Sequence, residues 1–245
     1  MRPLTGELLL EAWERGAPQS DSNRALTMLA VACPQTPPEQ LATLGIPERN
    51  LQLLRLRQLS FGPLIAGSLP CPSCRTRLEF ALPIAPLVNR LQELVPDGPS
   101  TWTIGPRTYR MRPANSQDLA AAISQPDSRS ARRLLLDRCL SVTNAEGVEE
   151  GWDIGGPESE EAALERFEQL HQGAEILCAV ECPACAAIER VDLDIGRFLW
   201  SELRHAAIRL LHDVHDLASA YGWSEAAIMT MSSQRRSMYL DMVRA

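Results

Sequence analysis

The stretch LPCPSCRTRLEF, residues 69–80, sets Cys71 and Cys74 on either side of Pro72 and Ser73 and follows them with a strand-like run. Two cysteines at that spacing supply half of a tetrahedral metal shell. The matching half stands at ECPACAAIERV, residues 181–191, where Cys182 and Cys185 flank Pro183 and Ala184. In CPSCRTRLEFALPI and CPACAAIERVDLDI a proline follows the first cysteine, and a glutamate leads an alternating run. Such a pseudo-repeat builds a two-knuckle zinc ribbon. Each tight turn aims two sulfurs at one point, the strand leaving it pairs with its counterpart, and four thiolates surround one structural zinc at about 2.3 Å. Compact ribbons separate their pairs by roughly 15–20 residues, whereas positions 75–181 intervene here. The metal is therefore expected to staple segments far apart in the chain, with the intervening elements forming an insertion.

Three other readings compete. One CxxC could do thioredoxin-like redox chemistry, but a second matched pair is then unexplained and no βαβ pattern surrounds either. A disulfide framework needs an oxidising compartment. Chance buried cysteines are common, and Cys33, Cys139 and Cys178 fit that description. A closed shell of four thiolates leaves no open position for water, so such a zinc stabilises the fold and does not catalyse.

Composition bounds the rest. With 45% hydrophobic and 22% charged residues, the chain reads as an ordinary globular protein. A formal charge of −7 argues against broad contact with nucleic-acid phosphates, although Arg129, Arg132, Arg133 and Arg138 offer a local basic face. No apolar run approaches the ~18 residues of a membrane span. The opening MRPLTGELLLEAWERG carries Glu7, Glu11 and Glu14 within its apolar part, which reads as an amphipathic helix and not a signal peptide. A cytoplasmic setting is expected.

The pattern predicts a mainly α protein with a small β zinc ribbon (α+β) in five segments. Residues 1–68 form a helical region, including a helix over IPERNLQLLRLRQLSFG that ends at Gly62-Pro63. Residues 69–100 hold the first knuckle, its strand and a helix near 86–95. Residues 101–172 form an insertion: a hairpin turning at Gly105-Pro106, helices from Ser116 and over 131–140, an acidic loop at 144–161 and a further helix over 160–173. Residues 173–198 hold the second knuckle and strand, and 199–245 a helical end, with Gly222 stopping a long amphipathic helix.

Other candidates for chemistry are sparse. His205, His212 and His215 lie on that long helix, and His212 and His215 share a face beside Asp213 and Asp216. A second metal site there, with Glu202, competes with a plain polar face. No GxSxG, Walker loop or GxGxxG occurs, and nothing supports an enzyme. The tail YGWSEAAIMTMSSQRRSMYLDMV has the outline of a helix-turn-helix. Its Trp223, Met231, Met238 and Tyr239 either dock a partner or fill the domain's own core.

The stretches ERNLQLLRLRQLSFGPLIAGSLPCPSC, TYRMRPANSQDLAAA with DRCL, ECPACAAIERVDLDIGRFLWSEL and HDVHDLASAYGWSEAAIMTMSSQRRSMYLDMV together resemble a family encoded with contractile phage tails and phage-like injection systems. These are baseplate proteins, or baseplate hub assembly chaperones of the T-even phage type. The resemblance spans most of residues 46–243. It implies a non-enzymatic part that assembles or occupies a baseplate hub, with hub or wedge proteins as partners and no catalytic residues to carry over. A zinc-ribbon regulator that binds nucleic acid through its C-terminal helices is the alternative, against which the net acidity weighs.

Overall fold

The computed structural model describes residues 1–244, with the side chains of Asp153 and Ile154 left aside. The fold is mixed α/β, 56% helical, with small sheets. In chain order, the first elements are α1 (Glu7–Gly16), α2 (Asp21–Ala32), α3 (Pro38–Ala42) and α4 (Ile46–Phe61). The first hairpin, β1 (Leu64–Pro70) and β2 (Arg77–Pro83), leads into α5 (Ile84–Leu94). Next come β3 (Ser100–Ile104), β4 (Arg107–Met111), α6 (Ser116–Ile123), α7 (Ser128–Cys139), β5 (Leu140–Thr143) and β6 (Glu149–Glu150). A 3-10 turn at Trp152–Gly155 precedes α8 (Gly156–Leu170), and the second hairpin is β7 (Leu177–Glu181) with β8 (Ile188–Asp192). The chain closes with α9 (Ile195–Tyr221), α10 (Glu225–Met229) and α11 (Ser233–Arg244).

The main core gathers α1, α2, α4 and α9, with α5, α10 and α11 against its flanks. Helix α4 runs through its centre. Leu53, Leu54 and Leu56 are fully buried, and Arg49, Asn50 and Arg57 are buried too, so only a narrow stripe through Glu48, Gln52, Arg55 and Leu59 meets solvent. Each buried leucine contributes about 1.5–3 kcal/mol of transfer energy. Arg57 is tolerated there because Glu202 of α9 accepts from its Nε and Nη2 at 2.9 and 2.7 Å. Gly16 admits the Trp200 ring so closely that a Cβ would lie 2.5 Å from it, which locks α1 onto α9.

The insertion has its own apolar cluster. Strands β3-β4-β5-β6 form an antiparallel sheet, against which α7 and α8 bury Tyr109, Met111, Leu136, Val142, Ala163 and Leu170. The expected acidic loop at 144–161 is only partly a loop. Glu149 and Glu150 pair with Thr143 and Val142, and α8 begins at Gly156 because Pro157 fits a first helical turn. Ser159, hydrogen-bonded to the Tyr109 hydroxyl at 2.9 Å, pins that turn to the sheet.

One buried carboxylate organises the α6–α7 corner. Asp118 is fully buried and takes Arg112 in a bidentate pair at 2.5 and 3.1 Å, Arg138 Nε at 2.7 Å and the Asn115 amide at 2.9 Å. Asn115 accepts in return from the Asp118 amide, completing a capping box.

The insertion and the residues that follow it are stitched to α4 at several points. The Ile46 amide donates to Ala114 O, Arg49 Nη1 to Ser116 Oγ, and Asn50 Nδ2 to Ala174 O. No helix among the described residues is long and apolar enough to cross a membrane.

Candidate metal centre

Both CPxC turns are built alike. In the first, the Cys71 amide donates to Thr76 O at 2.9 Å and the Arg75 amide to Cys71 O at 2.8 Å. In the second, the Cys182 amide donates to Ala187 O and the Ala186 amide to Cys182 O, both at 2.8 Å. This hydrogen-bond pattern forces the residue after the second cysteine into the left-handed region, at φ 63° for Arg75 and 55° for Ala186. A side chain there costs about 1–2 kcal/mol. Ala186→Gly is therefore expected to raise the unfolding free energy by roughly 0.5–1 kcal/mol after the entropy cost of glycine is subtracted. Denaturant titration of Ala186→Gly and Ala186→Val measures it, with the valine variant moving the opposite way.

The two turns meet tip to tip. Cys71 Sγ lies 3.7 Å from Cys185 Sγ, Cys74 Sγ lies 3.7 Å from Cys182 Sγ, and all four sulfurs fall within 4.8 Å of one another. A disulfide would bring a pair to about 2.0 Å, so these are free thiols. Ligands about 2.3 Å from a tetrahedral centre stand about 3.8 Å apart along an edge, which is the spacing observed between knuckles. The four residues are therefore arranged to hold one metal ion. Burial repeats too: Cys71 and Cys182 are each 1% exposed, while Cys74 and Cys185 face solvent.

The electrostatics express the same crowding. Hydrogen bonds from the Thr76 side chain and amide, then Cys185, hold Cys74 down to about 6, and the Cys74 amide lowers Cys71. The Ala187 amide pulls Cys185 down, but the Cys74 thiol, burial and the Cys182 and Cys71 thiols together push it up to about 12. Four adjacent sulfurs do not share ionisation equally unless a cation sits among them.

The strands differ from expectation in one respect. Each strand leaving a knuckle pairs with the strand entering the same knuckle, β2 with β1 and β8 with β7. It does not pair with its counterpart in the other knuckle. The hairpins form separate sheets, joined by a small cluster of Cys71, Leu78, Val180 and Cys182 with Leu69, Phe80, Ala187 and Val191 around it. Gly67 makes the first hairpin possible, since a Cβ there would lie 2.5 Å from the Phe80 ring.

The remaining cysteines stand elsewhere. Cys139 is buried beside Asp118, with burial and that charge pushing it up to about 12. Cys178 is buried in the main core and Cys33 lies at its edge. On α9, the exposed His205 shares its Nδ1 with Ser201 O at 2.7 Å. Asp213 and Asp216 accept from Arg244 at 3.3 and 2.9 Å, and Glu202 is taken by Arg57. Among the described residues only the four cysteines group as metal ligands.

At the C-terminal end, Trp223 stacks on Tyr221 at 4.5 Å and meets Tyr239 edge-on at 4.9 Å. Trp223 and Tyr239 pack half-buried against the main core, and Met231 is also half-buried. Met238 is 57% exposed, beside Met242 at 63%. Arg235 lies over the Tyr239 ring. Of the basic face, Arg129, Arg132 and Arg133 line a groove with Trp152, while Arg138 is engaged by Asp118.

Sequence reasoning missed two polar sites. The Asp118 corner carried a visible signal, Asn115 three residues before Asp118 as in a capping box. Buried Arg49 carried none, since arginines on a helix ordinarily mark its wet face. Comparison of the chain with family models, curated proteins and solved structures gave no match.

Proposed function

We propose that Cys71, Cys74, Cys182 and Cys185 hold one structural zinc, and that the ribbon so formed sets the geometry of a protein-binding helical body. The convergence of four sulfurs from cysteines 108 and 114 residues apart carries this reading. Soft thiolates favour zinc over hard cations, and a shell of four leaves no open coordination position. The metal then fastens the hairpin that follows α4 to the hairpin that precedes α9. Two hairpins that are both rooted in the main core, on either side of the insertion in sequence, are thereby tied to each other at their tips.

With the resemblance to contractile-tail baseplate proteins, this makes the chain a non-enzymatic assembly factor or structural component of such a baseplate, working in the cytoplasm and gripping a hub or wedge protein. The exposed Met238 of α11, with the half-buried Trp223, Tyr239 and Met231, is the proposed contact. A pull-down from cells expressing the neighbouring gene cluster tests it, with Cys182→Ser as control. Wild type is expected to capture a tail or baseplate component and the variant to capture much less. Capture of none by wild type overturns the baseplate reading. Equal capture by the variant overturns the role of the metal in shaping the surface.

A further inference from the structure

A cavity of about 320 Å³ lies where α4, the β4–α6 linker, the end of α8 and the β8–α9 linker meet. Its size falls at the lower end of small-molecule sites, and junctions between structural units are where such sites concentrate. Ile46, Ala114, Leu119, Leu135, Phe167 and Leu193 give it apolar walls.

Arg49 is the cation in this lining, and it is 9% exposed. Its partners are neutral: Nε and Nη2 donate to Asn50 Oδ1 at 3.3 and 3.0 Å, and Nη1 to Ser116 Oγ at 3.0 Å. A guanidinium carries five N–H donors, so one N–H remains on each terminal nitrogen. Burial lowers the Arg49 pKa, and the charge of Asp194 offsets part of that. Among the described residues no carboxylate is hydrogen-bonded to the guanidinium; that of Asp194 accepts from the Arg197 amide at 3.0 Å and caps α9. Asp194 and Asp192 also line the cavity, at its exposed rim, where solvent screens them. His171 adds no second cation: burial lowers its pKa, and its Nε2 accepts from the Ala114 amide while Nδ1 meets Phe167 O. A buried guanidinium whose nearby counter-charge is solvent-screened and makes no direct pair is costly, and a guest carboxylate supplies both the charge and a two-oxygen acceptor.

We propose that this cavity binds a small molecule with a carboxylate head, held by Arg49, and a short apolar body lying along Leu119, Leu135 and Phe167. The test is calorimetric titration of the full chain with 3-phenylpropanoate and with its neutral counterpart 3-phenylpropan-1-ol. The acid is expected to saturate one site and to bind at least about tenfold more tightly than the alcohol. Arg49→Gln should erase that preference. Because Arg49 also ties α4 to α6, Leu119→Phe provides a second variant that fills the cavity and leaves the guanidinium intact; it should weaken the acid about tenfold with an unchanged circular dichroism spectrum. Equal affinity for acid and alcohol, no saturable binding of the acid at millimolar concentration, or undiminished binding by a folded Leu119→Phe overturns the proposal.

Discussion

Replacing Cys182 by serine is expected to release the metal and melt the facing ends of both hairpins while the helical body stays folded. Among the described residues the cluster between the hairpins buries Cys71, Leu78, Val180 and Cys182, a small core. A lone two-stranded hairpin is marginal in water, and neither sheet borrows hydrogen bonds from the other. Four-ligand zinc supplies about 10–16 kcal/mol of apparent binding energy in small peptides at neutral pH, energy that reappears as folding free energy. The hairpin roots are anchored differently, since Ile65 and Cys178 belong to the main core, as do α4 and α9. Native-state hydrogen exchange should therefore show amides of β1, β2, β7 and β8 near the knuckles losing more than about a hundredfold in protection, or about 3 kcal/mol of opening free energy. Amides of α4 and α9 should change little, because the metal sets how the helical surfaces are placed relative to one another and not whether they fold. Loss of protection throughout the chain would mean that the metal holds the body as well, and no loss anywhere would mean that the thiols stabilise nothing.

The second large effect lies in the insertion. Asp118→Ala is expected to cost about 2–3 kcal/mol, because it removes the hydrogen bonds from Arg112 and Arg138, whose guanidinium groups are partly solvated, and opens the capping box at once. Burial alone would raise the carboxyl; hydrogen bonds from Arg112, the Asn115 amide and Arg138 overcome it and lower the pKa to about 2. An unfolded aspartate titrates near about 3.9. A depressed native pKa contributes stability that is fully present above the unfolded value and lost as pH falls through the native one. The window therefore runs from about pH 4 down to about pH 2, with roughly 2–3 kcal/mol at stake. Denaturant unfolding at pH 7 and across that window measures both effects. The wild-type slope should be steeper than that of Asp118→Asn, whose unfolding at pH 7 should already be destabilised. Parallel slopes would remove Asp118 from the account.

How much of this was legible follows from which interactions are local. The two CPxC motifs announce themselves by spacing, because each turn is closed by its own backbone hydrogen bonds. That Cys71 faces Cys185 while Cys74 faces Cys182 depends on how two hairpins oppose one another, and no local signal encodes it. Helices α4 and α9 showed in their leucine spacing, and Gly222, at φ 66°, ends α9 as a left-handed cap. Strand β1 did not show, because LIAGSLP carries Gly67 and Pro70, residues that usually interrupt strands. Here Gly67 makes room for Phe80. Strands β5 and β6 are too short to carry a period of their own; β5 is registered into the larger sheet by Val142 opposite Tyr109, and β6 by Glu150 opposite Val142. Arg49, Arg57 and Asp118 look in sequence like solvated charges. Only the three-dimensional arrangement brings Glu202 to Arg57 and two arginines to Asp118.

The most direct test of the central claim is the metal content of the intact chain, purified under reducing conditions and weighed by native mass spectrometry alongside thiol alkylation. One zinc per chain is expected, with Cys71, Cys74, Cys182 and Cys185 protected from alkylation until a chelator is added, and none retained by Cys182→Ser. A folded, metal-free chain whose four thiols alkylate freely, or one in which they are joined as disulfides, would contradict it.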